Sequence, residues 1–99
     1  MKIEVKKIKH ARSLSEETNA FTAELHINGE YVADCKNAGH GGQTDIHSRF
    51  STNETQREHY RKIVQQAEVF CKNLPKYEGN LPMSLDFYVD LEIEKDLSK

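Results

Sequence analysis

The chain lacks long apolar segments and has no large excess of charge of one sign. No apolar run approaches the roughly 18 residues that a membrane-spanning helix requires, and the residues after Met1 lack the apolar region of a secretory signal. The net charge is -2, whereas sequence-independent binding of nucleic acid requires a positive field. We therefore expect a cytoplasmic protein without a membrane partner, and the overall charge does not favour nucleic acid.

Cysteine is also scarce, because Cys35 and Cys71 are the only two. Two cysteines are too few for the disulfide framework of a small secreted domain, and a reducing cytosol disfavours a bond between them. We expect two buried thiols. The chain has 99 residues, of which 36% are hydrophobic, so it is predicted to form a single domain over residues 1–99 with one modest core. That small core leaves a homodimer open.

Apolar and polar residues alternate in two segments near the N-terminus, which is the period of a β-strand. In the first, Ile3 and Val5 alternate with charged residues until Lys6-Lys7 breaks the phase, as an inserted residue does in a β-bulge. The second covers residues 21–27, and the Asn28-Gly29 pair that follows is the strongest short hairpin signal. These features predict an N-terminal strand and a hairpin in one small antiparallel sheet.

Two registers are open for this hairpin. A two-residue type I′ loop pairs Ile27 with Glu30. A three-residue loop with Gly29 in a left-handed bulge shifts the pairing by one residue, which exchanges the two faces of a strand. Burial favours the second register, which we prefer. It opposes Leu25 to Tyr31, Ala23 to Ala33 and Phe21 to Cys35.

Residues 51–73 carry an apolar stripe with the i, i+3, i+4, i+7 spacing of an amphipathic helix. Ser51 with Glu54 three residues later resembles a capping box, and Pro75 prevents the helix from continuing. We expect this helix to share one core with the hairpin. The residues predicted to be buried there are Phe21, Leu25, Ile63, Ala67 and Phe70.

The segment after Ser84 has two interpretations. Its apolar residues alternate with polar ones from position 85 to position 93, at the period of a strand. Ser84 is also a suitable N-cap for a helix, whose first turn acidic residues favour. Both leave the fold class as α+β, with a small antiparallel sheet packed against one long helix and a second C-terminal helix or strand.

Four motifs of this chain recur in a known family. They are an acidic pair followed by threonine, an F-T-A segment, a hairpin with a glycine turn and an N-x-G-x-G-G run. In this chain the four motifs are, in the same order, Glu16-Glu17-Thr18, Phe21-Thr22-Ala23, Asn28-Gly29 and Asn37–Gly42. On these motifs the chain resembles a family of small uncharacterised proteins from phages and other bacterial mobile elements. The resemblance implies an origin in a bacterial host cell and a helix at the C-terminus. It implies no activity, because none is established for the family.

The glycine-dense segment from Asn37 to His47 is where a function is expected. Its glycines allow positive φ and close approach of backbone N–H groups to a ligand, as in loops that bind phosphate or carboxylate. No Lys-Ser/Thr pair follows them as in a P-loop, and the chain has no G-x-S-x-G nucleophile elbow. The alternative is a tight irregular turn between strand and helix. The candidate ligand- or partner-binding residues are Asn37, Gly39, His40, Gly41, Gly42, Thr44, His47, Glu17 and Thr18.

Two functional classes remain open. The first is a non-enzymatic phage or mobile-element accessory protein that binds a host protein or a small anionic ligand and interferes with host defence. The second is a small hydrolase or nuclease-like enzyme that uses His40, Asp45 and His47, with or without a divalent metal. The spacing of these residues matches no zinc pattern, and no cofactor motif is present, so we favour the first class without metal or cofactor. Nucleic-acid binding through Lys2, Lys6, Lys9 and the arginines of the predicted helix is a weaker alternative.

Overall fold

Four strands and two helices form the fold in the computed structural model, which describes residues 1–11 and 19–98. The strands make one antiparallel sheet in the order β1-β2-β3-β4, and both helices pack on the same face of it. The predicted α+β class is therefore confirmed. Within the described ranges, neither helix is long and apolar enough to cross a membrane. The elements are β1 (Ile3–His10), β2 (Phe21–Ile27), β3 (Glu30–Asn37), β4 (Asp45–Ser48), α1 (Glu54–Lys72) and α2 (Leu85–Leu97).

The first strand contains the predicted bulge. Lys6 lies opposite Glu24 and Lys9 lies opposite Thr22, so β1 has one residue more than β2 between these pairs. Lys7 has a φ of 51°, in the left-handed region. The prediction of a bulge at Lys6-Lys7 is confirmed, and the bulge changes which side chains of β1 face the same way.

The β2–β3 hairpin turns on two residues. Asn28 and Gly29 have φ values of 51° and 86°, the positive pair that a type I′ turn requires. Ile27 lies opposite Glu30 across the turn. The preferred three-residue loop is therefore wrong, because Asn28 tolerates the left-handed conformation that the shorter turn needs.

A second bulge, at Val32, follows this turn. His26 lies opposite Tyr31, but Leu25 lies opposite Ala33, so Val32 is the extra residue of β3. Val32 and Ala33 are both fully buried. The predicted pairs are therefore wrong, because Leu25, Ala23 and Phe21 lie opposite Ala33, Cys35 and Asn37. Burial does put the apolar side chains of both strands on one face, as expected, but through a bulge inside the strand and not through a longer turn.

The core lies between the sheet and the helices. Among the residues predicted to be buried, Phe21, Leu25 and Ala67 are buried. Ile63 and Phe70 are only half-buried and pack against the edge of the core, so their assignment to its interior is wrong. They lie on one flank of the apolar stripe of α1, whose buried residues are Tyr60, Val64, Ala67 and Cys71.

Helix α1 begins three residues later than the sequence pattern predicts. Its N-cap is Asn53, whose Oδ1 accepts a hydrogen bond from the backbone N–H of Gln56 at 3.1 Å. The predicted capping box of Ser51 and Glu54 is wrong. Ser51 instead lies in the preceding turn, where its hydroxyl accepts from the backbone N–H of Asn53 at 3.1 Å.

The C-terminal segment is a helix, as the resemblance implies. Ser84 is its N-cap and accepts from the backbone N–H of Phe87 at 3.3 Å. Leu85, Val89 and Ile93 are buried. These three are spaced by four residues, close to one helical turn, so they fit both the alternation of a strand and one face of a helix.

Candidate functional site

The segment between β3 and β4 is a loop braced by one side chain. Asn37, the last residue of β3, is 7% exposed. Its amide oxygen accepts from the backbone N–H of Gly39 at 2.8 Å. Its amide nitrogen donates to the carbonyl oxygen of Gly42 at 3.1 Å and to the hydroxyl of Thr44 at 3.2 Å. Asn37 therefore ties together both ends of the loop.

Thr44 connects this loop to α2. It is 5% exposed, and its hydroxyl donates to a carboxylate oxygen of Asp90. Asp90 is half-buried. Burial is the main reason that the pKa of its carboxyl lies above the ordinary 3.8. The hydrogen bond from Thr44 lowers this pKa, and the charges of Asp86 and Glu94 raise it further. We call Asn37, Thr44 and Asp90 the loop network.

The glycines of the loop have different requirements. Gly39 and Gly41 have φ values of 86° and 91°, where a side chain would strain the backbone. The φ of Gly42 is outside this region, and a Cβ built on it meets no atom within 4 Å. Gly39 is buried, whereas Ala38 and residues 40–43 are exposed. We call these exposed residues the loop surface.

The candidate residues from the sequence divide into four groups, of which His47 on β4 is one. Gly42 belongs to two of them, because its carbonyl oxygen is hydrogen-bonded within the loop while the residue itself is part of the loop surface. Asn37, Gly39, Gly42 and Thr44 form the hydrogen-bonded loop, with their side chains or backbone turned toward one another. His40 and Gly41 lie on the loop surface. Glu17 and Thr18 lie outside the described residues.

Asp45 and His47 belong to neither the loop nor its surface. The sequence segment from Asn37 to His47 was expected to be one loop, but its last residues form strand β4, with Asp45 opposite Lys36 and His47 opposite Asp34. Among residues 1–11 and 19–98, no group of three or more His, Cys, Asp and Glu side chains is arranged to hold a metal ion. His40, Asp45 and His47 are therefore not grouped as ligands of a metal ion.

A second polar group lies on the face of the sheet opposite the described helices and is joined there by Arg49, which follows β4 and also donates to the hydroxyl of Tyr60 of α1 at 3.3 Å. Nε2 of His26 is 3.2 Å from a carboxylate oxygen of Glu24, and the imidazole stacks on the Tyr31 ring with 5.5 Å between centroids. The Tyr31 hydroxyl donates to Asp34 at 2.5 Å, and the guanidinium of Arg49 lies 4.5 Å from the centre of the same ring. We call Glu24, His26, Tyr31, Asp34 and Arg49 the outer-face cluster.

The bulge at Val32 makes this cluster possible. Tyr31 and Asp34 are three residues apart and would point to opposite faces of a regular strand. The extra residue between them brings both to the outer face, where they form a hydrogen bond. The alternation of Glu24 and His26 along β2 indicates that these two share a face, but no sequence pattern indicates that Tyr31 joins them.

The electrostatics of the outer-face cluster keep its phenol protonated. The hydrogen bond to Asp34, together with burial and the charges of Asp34 and Glu24, raises the pKa of Tyr31 to about 12, against a lowering effect of Arg49. Tyr31 is therefore a neutral hydrogen-bond donor at physiological pH, and both His26 and Arg49 contact its ring. A phenol with so high a pKa is a poor general base near neutral pH.

Comparison with known proteins adds no assignment to this geometry. No protein-family model matches the chain, and neither a curated protein nor a solved structure matches it at a significant level.

Proposed function

We propose that this protein is a non-enzymatic binding protein that docks on another protein through its loop surface. The observation that carries the proposal is the bracing of the loop by Asn37 and Thr44. Binding residues are commonly found on loops that a rigid scaffold positions. A loop that is already ordered loses less conformational entropy when a partner binds, and the saving increases affinity.

The position of the polar groups favours binding over catalysis. A hydrolase requires a nucleophile or activated water next to a base. His40 lies on the loop surface, whereas Asp45 and His47 lie on β4. The alternative of a small hydrolase or nuclease-like enzyme that uses these three residues has no such arrangement to support it.

The resemblance to phage and mobile-element proteins supports a host protein as the partner. On this proposal the protein acts in the cytoplasm of a bacterial cell, where it binds a host protein and thereby interferes with host defence. The motifs that carry the resemblance include residues 37–42, which supply most of the loop surface. The partner would therefore contact the segment that this family shares.

The test uses Gly42→Val, because position 42 has no left-handed φ and open space for a side chain. The variant should keep the fold while a branched side chain projects from the loop surface and blocks a partner. Wild type and variant are each used to capture proteins from bacterial lysate, with quantitative mass spectrometry. A specific partner should be retained by wild type and reduced about tenfold or more with Gly42→Val, a loss of at least about 1.4 kcal/mol.

Thr55→Val is the matched control, because it exposes the same side chain on α1, away from the loop. It should capture the partner as wild type does. His40→Ala should weaken capture without change in the circular dichroism spectrum. If Gly42→Val retains every partner that wild type retains, the loop is a structural turn and the proposal is wrong.

A further inference from the structure

A shallow groove of about 430 Å³ crosses the outer face of the sheet beside the outer-face cluster. Lys9, Thr22 and Lys36 lie in one row across β1, β2 and β3, with Lys9 opposite Thr22 and Thr22 opposite Lys36. Side chains that are directly opposite on one face are about 5 Å apart at Cβ. The side chains of Lys9 and Lys36 therefore lie on either side of that of Thr22.

The acidic side chains of the groove already have partners. Glu24 contacts His26 at 3.2 Å and pairs with Lys7 at 3.9 Å. Asp34 accepts the hydrogen bond from Tyr31. Lys7 offsets part of the charge of Glu24, whereas Asp34 accepts from a neutral phenol and keeps its charge. The groove as a whole is lined by three lysines and two carboxylates, so lysine is in excess.

Lys9 and Lys36, in contrast, form no ion pair within the described part of the chain, although Asp45 lies opposite Lys36 on β4. Both lysines and Thr22 are exposed. His47 lines the same groove from β4 and has an imidazole that can donate a hydrogen bond. Four donors, one from each strand, therefore line the same groove.

We propose that this groove binds the phosphate group of a small phosphate-bearing ligand. Lys9 and Lys36 supply two positive charges, which match a phosphomonoester dianion better than a carboxylate with one charge. Thr22 and His47 donate hydrogen bonds to the remaining oxygens. The site is separate from the loop surface and does not depend on the docking proposed for that loop.

A polyanion such as nucleic acid fits the surroundings less well. Glu4, Glu24, Asp34 and Asp45 lie on the same outer face, so an extended phosphate backbone would pass over carboxylates. The net charge of -2 adds no attraction at long range. A single phosphate group, by contrast, needs only the row of Lys9, Thr22 and Lys36.

The test is a titration of the full chain at constant ionic strength. Binding is measured from the amide chemical shifts in two-dimensional NMR spectra. The probes are inorganic phosphate, O-phosphoserine as a phosphomonoester, acetate as a carboxylate and a short single-stranded oligonucleotide. Both phosphate probes should give saturable shifts confined to residues around Lys9, Thr22, Lys36 and His47. Acetate at the same concentration should give much smaller shifts.

Variants identify the residues that bind. Lys9→Gln and Lys36→Gln should each weaken O-phosphoserine binding about tenfold, and Thr22→Val should weaken it by a smaller factor. Lys62→Gln changes an exposed lysine of α1 and should have no effect. Gly42→Val should also bind the phosphate probes normally, so failure of the loop proposal would leave this one intact.

Three outcomes would overturn the proposal. The first is a set of shifts that do not saturate or that spread over all lysines. The second is an equal loss with Lys62→Gln, which would indicate general screening by salt. The third is an oligonucleotide that binds more tightly than O-phosphoserine and shifts residues far beyond the groove, which would make a polyanion the ligand. The amide spectra of the variants report at the same time whether each remains folded.

Discussion

The loop network and the outer-face cluster are both made of side-chain hydrogen bonds, but they differ in their contact with water. Asn37 and Thr44 are buried, whereas the hydrogen bond from Tyr31 to Asp34 is exposed. When a buried hydrogen bond is removed, the remaining group lacks a partner and its desolvation is not compensated. At an exposed site, water replaces the lost partner. The first network should therefore stabilise the fold, and the second should mainly orient side chains.

The largest expected effect is that of Asn37→Ala. The change removes the side-chain hydrogen bonds to Gly39, Gly42 and Thr44 and leaves the N–H of Gly39 and the hydroxyl of Thr44 with fewer partners. We expect a loss of about 3 kcal/mol in the free energy of unfolding, a large part of the 5–15 kcal/mol typical of a domain. Urea denaturation measures it.

Two controls make this comparison direct. Lys36→Ala alters the neighbouring exposed residue of β3 and should change the free energy of unfolding by less than about 0.5 kcal/mol. Tyr31→Phe removes the exposed hydrogen bond and should cost less than about 1 kcal/mol. Equal losses for Asn37→Ala and Tyr31→Phe would mean that burial does not separate the two networks.

A smaller effect, with a characteristic pH dependence, is expected for Asp90→Asn. Burial raises the pKa of folded Asp90 above its ordinary 3.8, so the folded protein holds this proton more tightly than the unfolded chain does. The contribution of Asp90 to stability is therefore fully present below pH 3.8 and is lost as the pH rises through the higher folded pKa. Asparagine keeps an acceptor for Thr44 without a charge.

Asp90→Asn should accordingly gain stability relative to wild type as the pH rises above 3.8. Urea denaturation of both proteins on either side of that pH measures the difference. The opposite trend, with wild type gaining on the variant, would mean that the hydrogen bond from Thr44 outweighs burial. Asp96→Asn, near the exposed end of α2, serves as a control for the change in net charge.

The smallest change in stability is expected for Asp34→Ala, which acts on the titration of Tyr31. Loss of the carboxylate should lower the Tyr31 pKa from about 12 toward the ordinary 10.0. An ultraviolet titration of tyrosinate should show one tyrosine shifted to lower pH, and Tyr31→Phe identifies which one. Asp45→Ala, an exposed carboxylate of β4, should leave the titration unchanged. If Asp34→Ala also leaves it unchanged, Asp34 is not what holds the phenol protonated.

Local signals in the sequence predict most of this fold. The break at Lys6-Lys7 and the turn at Asn28-Gly29 depend on neighbouring residues, so they are visible in the chain alone. Strand β4 was not predicted, because its four residues include only one apolar side chain, Ile46, and give no alternation to detect. The pairing with β3 stabilises it, and that pairing is a tertiary property.

The candidate site is less predictable for the same reason. Asn37 and Thr44 are polar residues in a glycine-rich segment, so the sequence indicates contact with a ligand. In the structure both are buried, and Thr44 bonds to Asp90, which follows it by 46 residues. Such a partner cannot be identified from spacing. The location of the exposed loop surface was predictable, but the direction of its side chains was not.

The two cysteines offer an internal chemical probe of how the protein opens. Cys35 of β3 and Cys71 of α1 are 1% and 0% exposed. Burial, with the charges of Asp34 and Asp90, raises the pKa of Cys35 to about 12, and burial raises that of Cys71 above 9.0. Alkylating reagents attack the thiolate, so neither residue should react while helix and sheet remain in contact. Mass spectrometry after timed exposure to a maleimide would then count molecules with no, one or two adducts. An excess of molecules with one adduct over that found for the urea-unfolded chain at the same extent of reaction would show that β3 or α1 opens without the other.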